Sequence, residues 1–209
     1  MTEGQAPIRI VGICGSLRAG SYTHLALQIA LRGAEEVGAQ THLIDLRGYD
    51  LPFCDGGKDE SAYPEDVGRL RGEVQVAQGI ILGTPIYHGS FSGVLKNALD
   101  LMGFREFEGR MVGLLGVSGG RTGAVNALDT LRAVGRVLHA WVIPEQVSIP
   151  EAWKAFDGTG NLKDPELAER LLELGRQVTR FAYLHTSERA QEFLQLWESA
   201  PPNPGGENR

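Results

Sequence analysis

The apolar positions of this chain fall into short continuous runs separated by longer stretches with helical spacing. Ile8-Arg9-Ile10-Val11-Gly12-Ile13-Cys14 is rich in β-branched residues and reads as a buried strand. Leu25, Ala26, Ile29, Ala30 and Ala34 then share one helical stripe. Gln40–Leu46 predicts a second strand. Pro64 opens a helix to about Gln78, with Val67, Leu70, Val74 and Ala77 on one face. Gly79–Thr84 is apolar throughout, as a central parallel strand is. A helix from near Ser92 carries Val94, Leu95, Ala98, Leu99 and Met102. Met111–Val117 predicts the fourth strand, about Ala124 to Val137 the next helix, and Trp141–Ile143, before Pro144, the fifth strand. Residues 147–164 read as a loop. Asp164-Pro165-Glu166 starts a helix with Leu167, Leu171, Leu172, Leu174, Val178 and Phe181 as its apolar positions, and Ser187–Trp197 is a shorter one.

Five strands alternating with helices predict an α/β fold with a parallel sheet, helices on both faces and right-handed crossovers. Ligands of such sheets sit beyond the carboxyl ends of the strands, where the strand order reverses. In the order 2-1-3-4-5 the first, third and fourth strands are neighbours. All three end in loops of small residues, which therefore converge on one crevice. No internal repeat or shift in composition marks a second domain. The domain is expected over residues 1–186, a helical extension over 187–198 and a disordered tail over 199–209 (SAPPNPGGENR). The loop Arg47–Tyr63, with its glycines and Pro52, is long enough to lie over a site.

The first loop, Gly15-Ser16-Leu17-Arg18-Ala19-Gly20-Ser21-Tyr22-Thr23, joins a strand to a helix. A helix N-terminus offers unpaired amides and the positive end of its dipole to an anion. Gly15 and Gly20 have Walker-loop separation, but Ser21 stands where that motif needs Lys. The glycines at 12, 15 and 20 do not fit G-x-G-x-x-G, so Asp45 is discounted as a ribose-binding acid. Ser16, Ser21, Thr23 and Arg18 remain, a donor set suited to the three oxygens of a phosphate monoester. An ordinary βα turn with Ser21 as N-cap is the other reading of these residues.

The chain has 209 residues, 42% hydrophobic and 22% charged, enough for one domain with a sizeable core. A net charge of −6 argues against nucleic-acid binding, so any anionic ligand needs a local site. Cys14 and Cys54 have no metal or redox spacing and read as free thiols in a reducing cytosol. No run approaches the ~20 apolar residues of a membrane span. MTEGQAP has neither the cationic start nor the apolar stretch of a signal peptide, so a cytoplasmic protein is expected.

Taken together, GSLRAGSYT at 15–23, GTPIYHGSFSGVLKNALD at 83–100 and SGGRTG at 118–123 resemble the NAD(P)H-dependent FMN reductase family of the flavodoxin-like fold. The resemblance covers roughly residues 8–185, and the long middle motif is its specific part. It implies a flavodoxin-like three-layer sandwich with FMN as cofactor and NADPH or NADH as co-substrate. It places Ser16, Arg18, Ser21 and Thr23 at the FMN phosphate and counts Tyr22 among the cofactor-binding residues. Pro85, Ile86, Tyr87, His88, Gly89 and Ser90 would lie along the isoalloxazine, with Ser118, Gly119, Gly120 and Arg121 on its other side. It further implies a homodimer or homotetramer. Thr23 stands where the family's first loop has Asn, and Ile86 and His88 where many members have Glu and Asn.

Beside the resemblance, bland roles stand for several residues. Tyr87 is a ring contact or packing beneath its loop, and His88 a flavin-edge residue or a solvated loop histidine. Lys96 and Asp100 read as surface or interface charges. Arg121 binds the nicotinamide nucleotide's phosphates or is simply exposed. Hydride transfer between nicotinamide and flavin needs no dedicated protein base, so no catalytic side chain and no metal are expected. The expected activity is reduction of FMN by NAD(P)H, with electrons passing on to a small-molecule acceptor. The alternatives are a quinone, azo or metal-oxyanion reductase using the same site, a flavodoxin-type electron carrier, and an FMN-dependent sensor. The carboxyl-terminal segment, with Phe193, Leu194, Leu196 and Trp197, is amphipathic, as are the Val94–Met102 face and the helix near Ala124. These are the candidate oligomer contacts.

Overall fold

The computed structural model describes residues 7–57 and 62–199. The expected disorder of 199–209 therefore falls, Ser199 apart, outside the described residues. The elements are β1 (Arg9–Cys14), α1 (Tyr22–Glu36), β2 (Gln40–Asp45), α2 (Glu65–Gln75), β3 (Gly79–Tyr87), β4 (Ser90–Phe91), α3 (Gly93–Asp100), α4 (Phe104–Phe107), β5 (Met111–Val117), α5 (Val125–Val137), β6 (Trp141–Ile149), α6 (Ala152–Ala155), α7 (Pro165–Thr186) and α8 (Glu188–Glu198).

The main sheet is parallel in the order β2-β1-β3-β5-β6. That is the expected 2-1-3-4-5 once the two-residue β4, which pairs antiparallel with β3, is set apart. Among the described residues six strands are present rather than five. Alternation along each strand divides the core between the two faces. Ile10, Ile81, Leu115 and Val147 pack under α1 and α7. Val11, Ile13, Ile80, Leu82, Val112 and Leu114 pack under the helices of the opposite layer, against Leu70, Leu99 and Leu128.

Helix α1 and helix α7 meet along a seam that only glycine permits. A Cβ on Gly33 would overlap the backbone of Leu172, and one on Gly175 the backbone of Ala30. Arg176 closes one end of the seam, with Nη1 2.6 Å from Glu36 on α1 and Nε 2.9 Å from Glu173 on its own helix. Asp164 caps α7, and Pro165 occupies its first position, as the sequence predicts.

Two stretches differ from expectation. β6 does not stop at Pro144 but runs to Ile149. It lies at the sheet edge, where a missing N–H is tolerated, and a register shift opposite Gly113 takes up the proline. Arg132 on α5 reaches the carbonyls exposed there, donating to Val142 O at 3.2 Å and Ile143 O at 2.7 Å. The stretch 147–164 is likewise not a simple loop. It holds the end of β6, the single turn α6, and a bridge between Phe156 and Leu162.

Candidate functional site

The loops after β1, β3 and β5 meet at the carboxyl edge of the sheet, and the packing between them explains the small residues. Gly15 N donates to Gly83 O at 2.8 Å, carrying the β1–β3 pairing one step beyond the strand. A Cβ on Gly15 would stand 2.7 Å from Leu95 Cβ and 3.0 Å from both Gly83 O and Ser92 Oγ, so no larger residue fits. Ser92 ties two loops together. Its hydroxyl donates to Gly15 O at 2.6 Å and accepts from Leu95 N at 3.1 Å, capping α3. Its own N–H donates to Thr84 Oγ1 at 3.0 Å.

Within the first loop Ser21 caps α1, accepting from Thr23 N at 3.1 Å. Arg18 N donates to Ser16 Oγ at 3.4 Å. Ser16, Ser21 and Thr23 are buried, whereas Arg18 is exposed. Beneath the loop lies Cys14, whose thiol burial pushes up to about 11; it is a neutral packing group. Asp45, at the end of β2, is engaged by the Arg47 guanidinium, which holds its carboxyl below the ordinary value.

The second loop is a tight hairpin. His88 and Gly89 both have positive φ (51° and 83°) between the paired residues Tyr87 and Ser90, the geometry of a type I′ turn. The third loop is zipped to the segment after β6. Ser118 N donates to Ile149 O at 2.8 Å, Glu151 N to Gly120 O at 3.1 Å and Ala152 N to Ser118 O at 3.0 Å. A stack of Tyr22 on Phe156, 5.1 Å between centroids, fixes the far end of that segment to α1.

Between these loops lies a cleft of about 300 Å³, lined by Ser16, Arg18, Ser21, Tyr22, Thr23, Pro85, Ile86, Tyr87, Val117, Ser118, Gly119, Ala152 and Trp153. Ten of the residues singled out in the sequence therefore surround one hollow. His88 and Gly89 line an adjoining hollow of about 290 Å³, which shares Ile86 and Ser118 with the first. Ser90, Gly120 and Arg121 line neither. Arg121 has its side chain 85% exposed, with Nε 3.5 Å from Glu151. Ala152 and Trp153 were not singled out in the sequence. Trp153 is 60% exposed and stands at the rim, on a helix of one turn too short to leave a periodic signal. Among the described residues of the loop after β2, none lines the cleft. Asn97 on α3 holds that loop aside, accepting from Cys54 N at 3.0 Å and donating to Pro52 O at 2.9 Å. Lys96 and Asp100 form an exposed pair one turn apart, at 2.6 Å. A larger groove, about 500 Å³, lies at the opposite, amino-terminal edge of the sheet, between Ile8 and α7.

A doubly wound parallel sheet with a hydroxyl-rich strand-to-helix loop at its reversal point defines the flavodoxin-like class. The model of the NADPH-dependent FMN reductase family matches residues 8–154, and the chain belongs to that family. It is 33% identical over 183 residues to the NADPH-dependent FMN reductase ArsH of Shigella flexneri, covering 85% of this chain and 70% of the relative. It is 36% identical over 167 residues to the NAD(P)H-dependent FMN reductase PA1204 of Pseudomonas aeruginosa, covering 78% and 88%. Among solved structures, an apo NADH:FMN oxidoreductase superposes with TM-score 0.69 at 22% identity, covering 83% of this chain and 89% of the other, which shows a shared fold.

Proposed function

We propose that this protein uses NAD(P)H to reduce FMN held in the cleft between the three loops, and that the electrons pass on to a small-molecule acceptor at the same face. The observation that carries the reading is the cleft itself, because its lining combines the two kinds of surface that FMN requires. From the first loop come the buried hydroxyls of Ser16 and Ser21, the Arg18 guanidinium and the first turn of α1, the donors a phosphate monoester takes up. From the third loop Gly119 faces open space, with nothing within 4 Å of where a Cβ would stand. Pro85, Ile86 and the exposed Tyr87 border that space and provide flat apolar surface for a ring. Bound there, FMN supplies the hydride-accepting chemistry, and reduced nicotinamide the electrons.

The protein's own part is to bind, orient and shield. Ser92 and Thr84 fix the first two loops against each other. The Ser118–Ala152 hydrogen bond fixes the third loop against α6. The test is optical. Purified protein loaded with FMN and mixed anaerobically with NADPH is expected to bleach, and an acceptor panel then ranks free FMN, quinones, azo dyes and metal oxyanions. A protein that takes up no FMN refutes the proposal. Flavin that stays oxidised under NADPH points instead to a carrier. The exposed aromatic pair Tyr87 and Trp153 at the rim favours a planar acceptor as the second substrate.

We also propose a homo-oligomer. The α3 face expected to serve it is spent within the chain, since Leu95, Ala98, Leu99 and Met102 lie in its own core. The exposed Val125 on α5 and Leu194 and Leu196 on α8 remain available. Light scattering on eluted protein reads the state directly, and a monomer at micromolar concentration rejects it.

A further inference from the structure

Beyond the cleft's own lining, one cluster of charges sits beside its rim. Glu151 follows β6 and has φ 42° and ψ 49°, a left-handed conformation unusual for a residue with a side chain. Its N–H is held by Gly120 O, and its carbonyl accepts from Lys154 N at 2.7 Å. The result is a carboxylate placed between two cations from different segments. Glu151 Oε1 lies 2.7 Å from Lys154 Nζ and 3.5 Å from Arg121 Nε. One oxygen atom thus serves both, so the two cations are close enough to bind a single phosphate. Lys154 Nζ also stands 4.8 Å from the centre of the Trp153 ring, which lines the cleft. In a chain of net charge −6 this is a local excess of positive charge at the mouth of the site.

Given the reductase reading, on which this inference rests, we infer that Arg121 and Lys154 form the subsite for the 2′-phosphate of NADPH, with Glu151 as its stand-in when no nucleotide is bound. The chemistry fits in three ways. A phosphate monoester carries close to two negative charges at neutral pH and accepts from several donors at once, so it outcompetes one carboxylate for two cations. Arg121 offers a planar fork and Lys154 a mobile point charge, a pairing that grips a tetrahedral anion from two sides. The position is also right: the subsite adjoins Gly119 and Trp153 rather than the α1 end, where Arg18 and the buried hydroxyls already provide for a phosphate. NADH has no 2′-phosphate for this pair, and on this assignment binding it leaves Glu151 where it is. Arg121 and Lys154 are therefore specificity residues, and they favour NADPH.

The shared chemistry is a phosphate near an adenosine, and either the 2′-phosphate or the diphosphate bridge common to both nucleotides can supply it. Calorimetric titration of the FMN-loaded protein with adenosine 2′,5′-bisphosphate, 5′-ADP and 5′-AMP separates the two. The bisphosphate is expected to bind on the order of tenfold tighter than either other probe, because charge-assisted hydrogen bonds are at stake. Lys154→Met and Arg121→Met should each remove most of that preference. Arg105→Met, which removes an exposed cation on α4, ahead of β5 and so at the opposite edge of the sheet, should leave it in place. The NADPH-to-NADH ratio of kcat/KM is expected to fall in step. Equal binding of the bisphosphate and 5′-AMP overturns the assignment, as does loss of all three probes alike in the variants. A gain shared by 5′-ADP moves the pair to the diphosphate and also overturns it. These failures leave FMN reduction untouched, whereas a protein that cannot hold FMN fails the optical test first.

Discussion

At the scale of single residues, the hairpin after β3 shows how backbone geometry selects chemistry. His88 has φ 51° and is followed by Gly89 at 83°, and a type I′ turn favours Asn-Gly at these two places. Asn enters the left-handed region more readily than a ring-bearing residue does. His88→Asn is therefore expected to stabilise the protein by about 0.5–1 kcal/mol, and His88→Val to cost about 1–2 kcal/mol. Urea unfolding with an unchanged m-value checks both, and the reverse order would mean that the turn is not formed in solution. Arg18 presents the opposite case, an exposed side chain whose value lies in a ligand. Arg18→Ala should leave the melting temperature of the FMN-free protein nearly unchanged, because the Arg18 side chain is exposed and, among the described residues, its one hydrogen bond is from its backbone N–H within its own loop. It should weaken FMN binding by about ten- to a hundredfold, the cost of losing a hydrogen bond to a charged group. Quenching of flavin fluorescence on titration measures this. An unaltered affinity would remove Arg18 from the phosphate site.

At the scale of elements, two contacts decide whether the scaffold holds its loops. The first is the α1–α7 seam. Gly175→Ala gains up to ~1 kcal/mol of helix propensity. The new Cβ falls on the backbone of Ala30, which no rotamer relieves, and such overpacking costs ~1–3 kcal/mol or more. A net loss of about 2 kcal/mol is expected, seen as a fall of about 4–8 °C in melting temperature. A neutral result would mean that the helices separate freely. The second contact is Ser92. Replacing it by Ala removes the α3 cap, worth ~1 kcal/mol. It also leaves Gly15 O without its 2.6 Å donor, a buried group whose orphaning costs ~1–3 kcal/mol. Ser92→Ala should therefore lower both stability and FMN affinity, the latter through a looser first loop, and thermal melts with and without FMN separate the two effects. These elements also show what was legible in the sequence. The succession of strands and helices followed from the apolar pattern, whereas the strand order came with the doubly wound class, and only the structure divides Ile10 and Ile81 from Ile80 and Leu82 between the two faces of the sheet. The three loops followed from the small residues that close packing demands, Gly15 above all. Pro144 misled because a proline ends a central strand but not an edge strand supported from below by Arg132. Trp153 was missed because its place at the cleft depends on hydrogen bonds between Ser118 and Ala152 and on the Tyr22–Phe156 stack, all long-range. The position of the loop after β2 was hidden for the same reason, since long-range hydrogen bonds from Asn97, Asp66 and Arg69 hold its described residues.

At the scale of the whole molecule, the pH range over which the fold persists can be read from a few perturbed groups. On the acid side Asp45, held low by Arg47, and Glu173, held low by Arg176, bind protons less readily when folded than when unfolded. The unfolded chain then takes up more protons as pH falls, so the stability these groups confer is complete above their unfolded values, near pH 4 to 5. It is lost as pH drops through the lower folded values. On the alkaline side the sign reverses. Burial raises Cys14 from 9.0 to about 11, so the unfolded thiol ionises first. Its contribution is whole below pH 9 and declines from there until the folded thiol ionises near 11. A rise of that size corresponds to ~3 kcal/mol over the interval. Tyr49 is also raised, by burial and by its hydrogen bond to Glu73, and Tyr63 by burial beside Asp55. Both tyrosines begin to contribute near pH 10, where the unfolded phenol ionises. The window from pH 9 to 10 therefore isolates Cys14. Cys14→Ala should flatten the decline of unfolding free energy in that window while leaving the slope above pH 10 to the tyrosines. Thiol labelling gives an independent check: at pH 8 the folded protein should react at Cys54, which is partly exposed, and not at Cys14. A wild-type curve that stays level to pH 10 would show that Cys14 is reached by water in solution. The first loop would then not seal the end of β1, and the tight Gly15–Gly83–Ser92 contact that shapes the phosphate end of the cleft would have to open as well.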